Sequence, residues 1–539
     1  MHNYSNAEIA DTLELTAQLL ELHNENPFKI RALNNASYKI NRHPVSLISL
    51  SLQELEKIEG IGKGIALKIF ELYNTGTTQE LNDILKKTPE GLTEIFKVKG
   101  LGPKKIAKLW NDLGIESIGE LMYACKENRL IDIKGFGGKT QNAIIESIQF
   151  ILNSKNWVHF SDAEILAQNL KEELNKKYSF NKIKVCGQII RKCETVNEIT
   201  IVCSPEINQQ DIPKNYNGLK VNLISCKESD FNYNCFINSA SDKHLEQLET
   251  LAPGILKDIN SDIEIYNKLK LQYILPELRE GLNEINLAKD NLIPELITFQ
   301  DLKGILHNHT TYSDGKHSLK EMAEYGKELG FEYLAICDHS ISASYAGGLK
   351  PEEIIKQHQE IDALNKEMAP FKIFKGIECD IKIDGSLDYT TDILETFDII
   401  VASIHQNFKM DEETATKRLI KAIENPYTTI LGHMTGRLLL SRKGYPVNFK
   451  KIIDACADNQ VIIELNAHPY RLDIDWRWIP YCIEKGVLIS INPDAHSKSG
   501  YHDMQYGVNI ARKGYLRNKD CFNALNLNQL EEWLRQKRK

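Results

Sequence analysis

The sequence predicts a multidomain protein with an α-helical N-terminal part, a small α+β domain in the middle and a C-terminal α/β barrel of the (β/α)7 type. Three observations carry this prediction: the length of 539 residues, a glycine turn that occurs three times before residue 150, and seven apolar runs beyond residue 301 that end in histidine or carboxylate residues. A chain of this length exceeds the usual size of one domain, so several separately packed cores are expected.

Composition places the chain among ordinary globular proteins, with 42% hydrophobic and 26% charged residues. No apolar run reaches the length of a membrane span, and the N-terminal segment is acidic, so we expect a cytoplasmic protein with no membrane partner. The eleven cysteines include no Cys-x-x-Cys pair, which argues against zinc fingers and a secreted disulfide framework. The net charge of -8 does not exclude nucleic acids, because a carboxylate-rich barrel can mask a basic surface elsewhere.

The glycine turns of the N-terminal part follow one pattern, with copies at residues 58–64, 98–104 and 133–139. Each copy precedes a helical pattern, so its glycines allow a tight turn and leave backbone N–H groups bare at a helix N-terminus, where a phosphate can bind. The candidate DNA-binding residues are Gly60, Gly62, Lys63, Gly100, Gly102, Lys104, Lys105, Lys108, Gly135, Gly137 and Lys139. The alternative for any single copy is that its glycines only cap a helix.

These turns resemble the helix-hairpin-helix motif of DNA repair proteins, which implies binding to the DNA backbone without reading of the base sequence. Residues 96–110 hold five lysines and no acidic residue, as expected for a surface that follows phosphates. A solvated helix face is the alternative.

A small sheet domain is predicted in the middle of the chain. A helical pattern at residues 161–178 is followed by apolar or alternating runs at residues 182–186, 198–203 and 219–224. Residues 239–298 are helical and polar, and we interpret them as the end of this module plus a linker.

Beyond residue 301, short apolar runs alternate with helical segments, which predicts a parallel barrel. The seven runs are residues 304–306, 333–337, 371–377, 398–404, 428–432, 461–463 and 487–491, and each is followed by His, Asp or Glu. Because the functional residues of a barrel gather at the carboxyl ends of its strands, these side chains should meet at one rim. A lone histidine there is more often a core residue, but several His and carboxylate motifs on different strands favour a site for more than one metal ion.

These motifs resemble the polymerase and histidinol phosphatase (PHP) family over nearly all of the C-terminal part. They are His307-Asn-His309 with Asp314, Cys337-Asp-His339, Gly376-Ile-Glu378, Ser403-Ile-His405, Leu431-Gly-His433 and Asp494-Ala-His496. The resemblance implies three divalent metals, with Mn²⁺ favoured and Zn²⁺ or Fe²⁺ as alternatives. The implied ligands are His307, His309, Glu378 and Asp494 for the first metal, Glu378, His405 and His433 for the second, and Asp314, His339 and His496 for the third.

Catalysis in such a centre is assigned to Glu378, His309 and Asp494, with Arg437 and Arg471 as candidate phosphate-binding residues. The alternative for each arginine is a surface salt bridge. Glu464, His468 and His317 are expected near the rim, where they support the ligands, contact the substrate or make ordinary hydrogen bonds.

The order of these parts resembles the bacterial X-family DNA polymerases that also carry a 3′–5′ exonuclease. The resemblance implies a lyase-like domain at 1–85, two further helix-hairpin-helix motifs at 86–155, a polymerase palm at 156–238, a thumb remnant and linker at 239–300, and the PHP barrel at 301–539. Lys68 matches the lyase lysine of the family and Lys29 matches a 5′-phosphate contact, although either lysine can also be an ordinary solvated residue.

The palm motif departs from the pattern of the family. Gly187 remains from the nucleotide-binding turn, but Glu198 and Thr200 replace two aspartates, and Asn222 stands where a third is expected. One carboxylate instead of three is a poor site for two Mg²⁺ ions and a triphosphate. The sequence therefore predicts a palm without polymerase activity.

The leading hypothesis is a metal-dependent 3′–5′ exonuclease or 3′-end-processing phosphodiesterase of DNA repair. Its expected partner is gapped or 3′-ended DNA, bound by a monomer without sequence preference. Three alternatives stay open: an active gap-filling polymerase with a proofreading exonuclease, a small-molecule phosphatase of the histidinol phosphate type, and a DNA-binding scaffold with a silent barrel.

Overall fold

The computed structural model describes residues 4–47, 50–118, 121, 125, 130, 136, 138–153, 157–207, 213–256, 261–343, 346–408, 410–440 and 443–538. The chain divides into two compact units, residues 1–155 and 156–539. The finer division into five domains stays a prediction. Among the described helices, none combines the length and the apolar character needed to cross a membrane.

The first unit is helical. Its described helices are Asn6–Leu22, Pro27–Asn41, Leu52–Glu56, Lys63–Thr75, Gln79–Lys86, Glu90–Ile95, Pro103–Leu113 and Gly138–Asn153. Ser5 and Ser51 begin two of them as capping boxes, in which the serine side chain and a glutamate three residues later satisfy each other's backbone N–H groups. The apolar faces of these helices share one core, which includes Leu13, Ile69 and Ile106.

The second unit begins with a small sheet. Its strands are β1 (Val158–His159), β2 (Lys182–Val185), β3 (Thr195–Val196), β4 (Glu198–Ser204), β5 (Asn215–Tyr216) and β6 (Leu219–Ser225). Four of them form a sheet in the order β2-β4-β6-β5, in which β4 and β6 are parallel, and β1 pairs with β3. Helix Phe160–Tyr178 packs its buried face on this sheet. The segment that follows contains helices Gly187–Ile190, Phe231–Ile237, Asp242–Leu251, Asp262–Lys268 and Glu284–Lys289.

The barrel is built from seven parallel strands. They are β7 (Gly304–Ile305), β8 (Tyr333–Ile336), β9 (Lys372–Asp380), β10 (Ile399–Ser403), β11 (Ile430–Leu431), β12 (Ile462–Asn466) and β13 (Ile489–Asn492). Neighbours in sequence are neighbours in space, from β7 to β13. A single bridge between Asn308 and Ala495 links the two edges, so the barrel is nearly closed.

Helices alternate with the barrel strands, as a right-handed crossover between parallel strands requires. They are Leu319–Glu328, Pro351–Met368, Thr391–Leu394, Glu412–Ile423, Phe449–Asp458, Ile479–Glu484, Met504–Lys513 and Leu527–Lys537. The multidomain class and the (β/α)7 barrel that the sequence predicts are confirmed.

The small sheet domain and the barrel share buried polar contacts. Arg437 of the barrel donates from Nη2 to Glu194 Oε1 at 2.5 Å, and both side chains are only 15% exposed. Arg437 also bonds Asp475 and the carbonyl of Arg471. The ring of His159 stacks on Tyr470 with centroids 3.8 Å apart. The loop that carries Arg471 is therefore held from the side of the small sheet domain.

Candidate metal centre

The predicted ligands converge at the carboxyl ends of the barrel strands. His307 and His309 follow β7, His339 follows β8, Glu378 lies near the end of β9, and His405, His433 and Asp494 follow β10, β11 and β13. Because all seven strands run parallel, these ends share one rim. The predicted ligands therefore meet at one rim, as expected for the carboxyl ends of parallel strands.

Glu378 lies at the middle of this cluster and has no exposed surface. Its carboxylate is 2.9 Å from His433 Nε2, 3.1 Å from His405 Nε2 and 3.0 Å from His339 Nδ1. Burial alone would raise the pKa of Glu378, but the charges of His405, His307 and His339 outweigh it and hold the pKa well below the usual value. The carboxylate is therefore anionic, which is the form that could bind a metal ion.

Three groups of side chains have ligand atoms that all lie within 4.8 Å of one another, and they overlap. The groups are His307, His309, Glu378 and Asp494; His309, Asp314, His339 and His496; and His339, Glu378 and His405. The first is the set implied for the first metal. The second adds His309 to the set implied for the third metal. The third contains His339 in the place where the resemblance implies His433, although His433 still contacts Glu378.

The donor atoms fit metal ions. The buried Nε2 of His307 and Nδ1 of His433 make no hydrogen bond with any described group, and a buried polar atom without a partner is costly unless something else binds it. Burial, with His496 and His339 nearby, lowers the pKa of His309 to about 3, so its ring is neutral and keeps a lone pair. Imidazole and carboxylate together suit Zn²⁺, Mn²⁺ or Fe²⁺.

The group around Asp314 is the most open part of the cluster. His496 Nε2 lies 3.3 Å from Asp314 Oδ1, and these side chains are 38% and 36% exposed. His339 Nε2 lies 3.6 Å from the same oxygen. The pKa of Asp314 is lowered to about 2, because the hydrogen bond and charge of His496 outweigh burial. A substrate can therefore approach the cluster from this side.

Glu464, in the middle of β12, orients two of the predicted ligands. It is fully buried, and it accepts a hydrogen bond from His307 Nδ1 at 2.7 Å and another from the backbone N–H of His433 at 2.7 Å. A carboxylate only accepts, so Nδ1 of His307 carries a proton, and Nε2, which faces Glu378 and Asp494, is the atom where a metal would replace a proton. Of the roles open to Glu464, the structure favours support of the ligands.

Two further carboxylates support the centre and were not singled out from the sequence. Asp380 accepts from His405 Nδ1 at 2.5 Å. Asp338 accepts from the Thr310 backbone N–H at 2.7 Å and from the Ser313 hydroxyl at 2.6 Å, which fixes the loop before Asp314. A signal for Asp380 exists, since residues two apart on a strand share a face and Asp380 is two residues after Glu378.

The remaining rim residues differ in their surroundings. Arg471 Nε lies 3.8 Å from Asp494 Oδ2, beside the first ligand group. Arg437 is instead engaged with Glu194, Asp475 and backbone carbonyls, which corresponds to the salt-bridge alternative. His317 accepts from the Lys498 backbone N–H at 3.4 Å.

His468 lies near the same ligand group as Arg471. Burial lowers its pKa and outweighs the charge of Asp494, which raises it. Its backbone N–H donates to Asn466 Oδ1 at 3.1 Å, and the amide of Asn466 donates to Asp494 Oδ2 at 3.1 Å. His468 is thus connected through Asn466 to a predicted ligand.

The first two glycine turns have the predicted geometry. Gly60 and Gly100 adopt φ of +91° and +85°, which glycine tolerates best. Gly62 and Gly102 precede helices Lys63–Thr75 and Pro103–Leu113 and provide no side-chain cap, and Pro103 has no N–H of its own, so the second helix offers fewer N–H groups to a ligand than the first.

Lysines stand close to these two helix starts. Lys63 is the first residue of its helix, while Lys104, Lys105 and Lys108 lie on the other. Lys105 also donates to the carbonyl of Gly100 at 3.1 Å. In the third copy, Gly135 and Gly137 lie outside the described residues, and Lys139 lies in helix Gly138–Asn153.

Lys68 and Lys29 share one carboxylate. Both ammonium groups contact Glu80, whose side chain is 14% exposed. Burial raises the pKa of Glu80, but the hydrogen bonds from Lys29 and Lys68 outweigh it and lower the pKa. A cavity of about 650 Å³ is lined by these lysines together with Lys39, Lys63, Gly60 and Gly62. The two lysines singled out from the sequence are thus brought together beside the first glycine turn.

The predicted remnant of the palm site also assembles. Thr200 and Asn222 are paired across the parallel strands β4 and β6, and Glu198 is paired with Lys220. The carboxylate of Glu198 accepts from Lys220 Nζ and from the Thr200 hydroxyl. A Cβ on Gly187 would lie 2.7 Å from the Thr200 hydroxyl, so the turn packs directly on this strand. The site therefore forms around one carboxylate that is already neutralised.

Comparison with known proteins finds family models for most of the N-terminal part and for much of the barrel. The models of a helix-hairpin-helix domain, a SAM-like helix-hairpin-helix tandem and a PHP domain match residues 4–78, 92–149 and 306–468. A probable phosphatase of Thermoanaerobacter sp. (strain X514) is 24% identical over 257 residues, which cover 44% of this chain and 97% of that protein. A probable phosphatase of Escherichia coli O81 is 28% identical over 170 residues, which cover 30% of this chain and 62% of that protein.

Similarity over the whole length points to one family. The DNA polymerase/3′–5′ exonuclease PolX of Bacillus subtilis (strain 168) is 33% identical over 567 aligned positions, which cover 98% of this chain and 99% of that protein. The resemblance inferred from the order of the motifs is thereby confirmed. The chain belongs to the PolX family of DNA polymerase/3′–5′ exonucleases.

Proposed function

We propose that this protein is a metal-dependent 3′–5′ exonuclease, or a closely related 3′-end-processing phosphodiesterase of DNA repair, whose polymerase core is inactive. The observation that carries the proposal is the overlap of three ligand groups through His309, His339 and Glu378 at the barrel rim. The name of the Bacillus subtilis relative supports DNA as the substrate. We further propose that it acts in the cytoplasm as a monomer.

The chemistry of phosphodiester hydrolysis divides between the metals and the protein. Divalent ions, when bound, activate a water molecule and neutralise the charge that develops on the phosphate. Three ions, with Mn²⁺ favoured, would be held by His307, His309, Asp314, His339, Glu378, His405, His433, Asp494 and His496. Glu464 and Asp380 fix the rings of His307 and His405.

Arg471 is the proposed phosphate-binding side chain, because it lies beside the ligand Asp494 and is 20% exposed. A guanidinium group binds a phosphate through two parallel hydrogen bonds. We no longer assign this role to Arg437, since its donors are bound within the protein.

The polymerase alternative is disfavoured by the contacts of the palm. Glu198 is engaged with Lys220 and Thr200, and Asn222 carries no charge. Arg191, which survives from the palm motif, donates to Glu280 at 3.3 Å and to the Ala240 carbonyl at 3.2 Å. These groups offer little to a metal-bound triphosphate.

The alternative of a small-molecule phosphatase takes its support from the probable phosphatases, which match only part of the chain. The helix-hairpin-helix modules have no use in such an enzyme, because they grip a nucleic acid backbone.

Within the first unit, we propose that the cavity beside Lys29, Lys39 and Lys63 takes a 5′-phosphate and that Lys68 is the candidate lyase residue.

The direct test is degradation of labelled DNA. With Mn²⁺, the protein should shorten a gapped duplex stepwise from the labelled strand's 3′ end, and EDTA should stop the reaction because the ligands lose their ions. Adding excess Mn²⁺ should restore it. Degradation that continues in EDTA, or shortening from the 5′ end alone, would contradict the proposal.

DNA affinity should fall steeply with salt, because lysines that neutralise phosphates release counterions. Replacing Lys104, Lys105 and Lys108 together by alanine should reduce the slope of log Kd against log salt by about two to three, at roughly 0.9 per duplex phosphate contact. The measurement is the fluorescence anisotropy of a labelled duplex titrated with the protein at several salt concentrations between about 50 and 200 mM.

The matched control for this triple variant replaces Lys320, Lys356 and Lys417, which lie exposed on outer helices of the barrel unit. It removes the same charge and should leave the slope unchanged. Equal slopes in the two triple variants would assign the DNA contact to another surface.

A further inference from the structure

A groove of about 540 Å³ adjoins the metal centre at the ends of β8, β9 and β10. Its walls include Ser342, Asp380, Ile383, Gln406, Asn407 and Arg418. Two of these residues connect it directly to the predicted ligands: Asp380 accepts from His405 Nδ1, and Gln406 follows His405 in sequence. Whatever occupies this groove therefore lies next to the bond that the metal centre would cleave.

One wall of the groove is a tight turn that is fixed by hydrogen bonds inside the protein. Residues Ile381 and Leu387 pair as a bridge, and the backbone N–H of Lys382 donates to the Ser386 carbonyl at 2.8 Å. Gly385 closes the turn with φ of +82°. The turn thus has its shape before any ligand arrives.

Arg418 holds both walls of the groove. Its side chain is largely buried, and it donates to the carbonyls of Ile381 and Lys382 on the turn and to the carbonyl of Gln406 at 3.2 Å on the opposite wall. These hydrogen bonds of Arg418 go to backbone carbonyls on both walls, and they therefore set the width of the groove.

The tip of this fixed turn presents an apolar side chain to solvent. Ile383 is 70% exposed, although it stands between two charged residues. A single exposed apolar side chain is common on protein surfaces, so what distinguishes Ile383 is its place on a fixed turn that lines a groove beside the predicted ligands. Because Arg418 donates hydrogen bonds to the carbonyls of Ile381 and Lys382, the turn that carries Ile383 is held in place.

The charges around the groove favour a neutral, flat ligand over a phosphate. The carboxylate of Asp380 is engaged by His405, and that of Asp384 by Ser386 and Lys421. What the groove offers is the apolar face of Ile383 and the amide groups of Gln406 and Asn407, which suit the face and the polar edge of a nucleobase. Lys382 adds a cation at the border for the attached sugar-phosphate.

We propose that this groove receives the base of the 3′-terminal nucleotide, with Ile383 packed against the face of the base. The inference rests on the proposed exonuclease function, and it adds that the enzyme gains rate from the base itself and so prefers an intact nucleotide over an abasic 3′ end.

The test compares two oligonucleotides that differ only in the last residue, one ending in a normal nucleotide and one in a tetrahydrofuran abasic analogue. The rate of removal of the last residue is measured with Mn²⁺ and enzyme in excess. Ile383→Ala should lower the rate on the normal end roughly tenfold, the effect of losing a buried apolar contact, and leave the abasic end unchanged. The control Ile355→Ala alters an isoleucine that is 58% exposed on an outer helix, and it should change neither rate.

Equal losses on both ends, or no loss on either, would overturn the assignment of the groove while leaving the exonuclease in place. A wild-type protein that removes neither residue would overturn the proposed function and this inference together.

Discussion

Replacing His309 or Asp494 by alanine should lower metal-dependent DNA hydrolysis by roughly a thousandfold or more, because the metals contribute several kcal/mol of transition-state stabilisation. Each of these residues belongs to a ligand group that also contains Glu378, and His309 belongs to two groups. The measurement is the initial rate of release of labelled nucleotides from a gapped duplex with Mn²⁺, together with the bound metal per chain after dialysis.

Matched controls separate a ligand effect from a general loss of structure. His502→Ala removes an exposed imidazole that bonds the Tyr325 hydroxyl on the same barrel, and Asp392→Ala removes an exposed carboxylate. Both should keep the wild-type rate and metal content. If His309→Ala and Asp494→Ala hydrolyse DNA as fast as these controls, the proposed metal centre is wrong.

No template-dependent extension of a primer is expected from this protein. Paired metal ions need a cluster of carboxylates to position a triphosphate, and the palm offers only Glu198, which is already bound to Lys220. The assay uses the His309→Ala variant on a gapped duplex with all four nucleotides and Mg²⁺ or Mn²⁺, because degradation by the wild type would hide slow extension.

The positive control for that assay is the Bacillus subtilis relative, whose name includes DNA polymerase. Template-dependent extension by the His309→Ala variant would show instead that the protein is a gap-filling polymerase and that the Glu198 site is catalytic.

Much of the barrel could be predicted from the sequence, because its two signals are local. Short apolar runs separated by helical segments define parallel strands, and the polar residue at each strand end defines the rim. The same rule singled out Glu464, which accepts hydrogen bonds from His307 and from the backbone of His433.

Other parts of the site depend on contacts that no local pattern encodes. The grouping of His339 with Glu378 and His405 depends on how the imidazole rings are turned, which spacing along the chain does not fix. The buried pair of Arg437 and Glu194 joins residues 243 positions apart, so no local pattern favours this ion pair over a phosphate contact for Arg437. Direction of side chains and distant pairing are the two kinds of information that the structure adds.

The pair of Arg437 and Glu194 also bears on how such a chain can change over evolutionary time. A gene shortened to encode only residues from 301 onward would remove Glu194 and leave Arg437 with Asp475 as its carboxylate partner among the described contacts. The loop that carries Arg471 would lose its outer brace at the same time. The small sheet domain is thus part of the support of the barrel rim, so a change that removes it would also disturb the loop that carries Arg471.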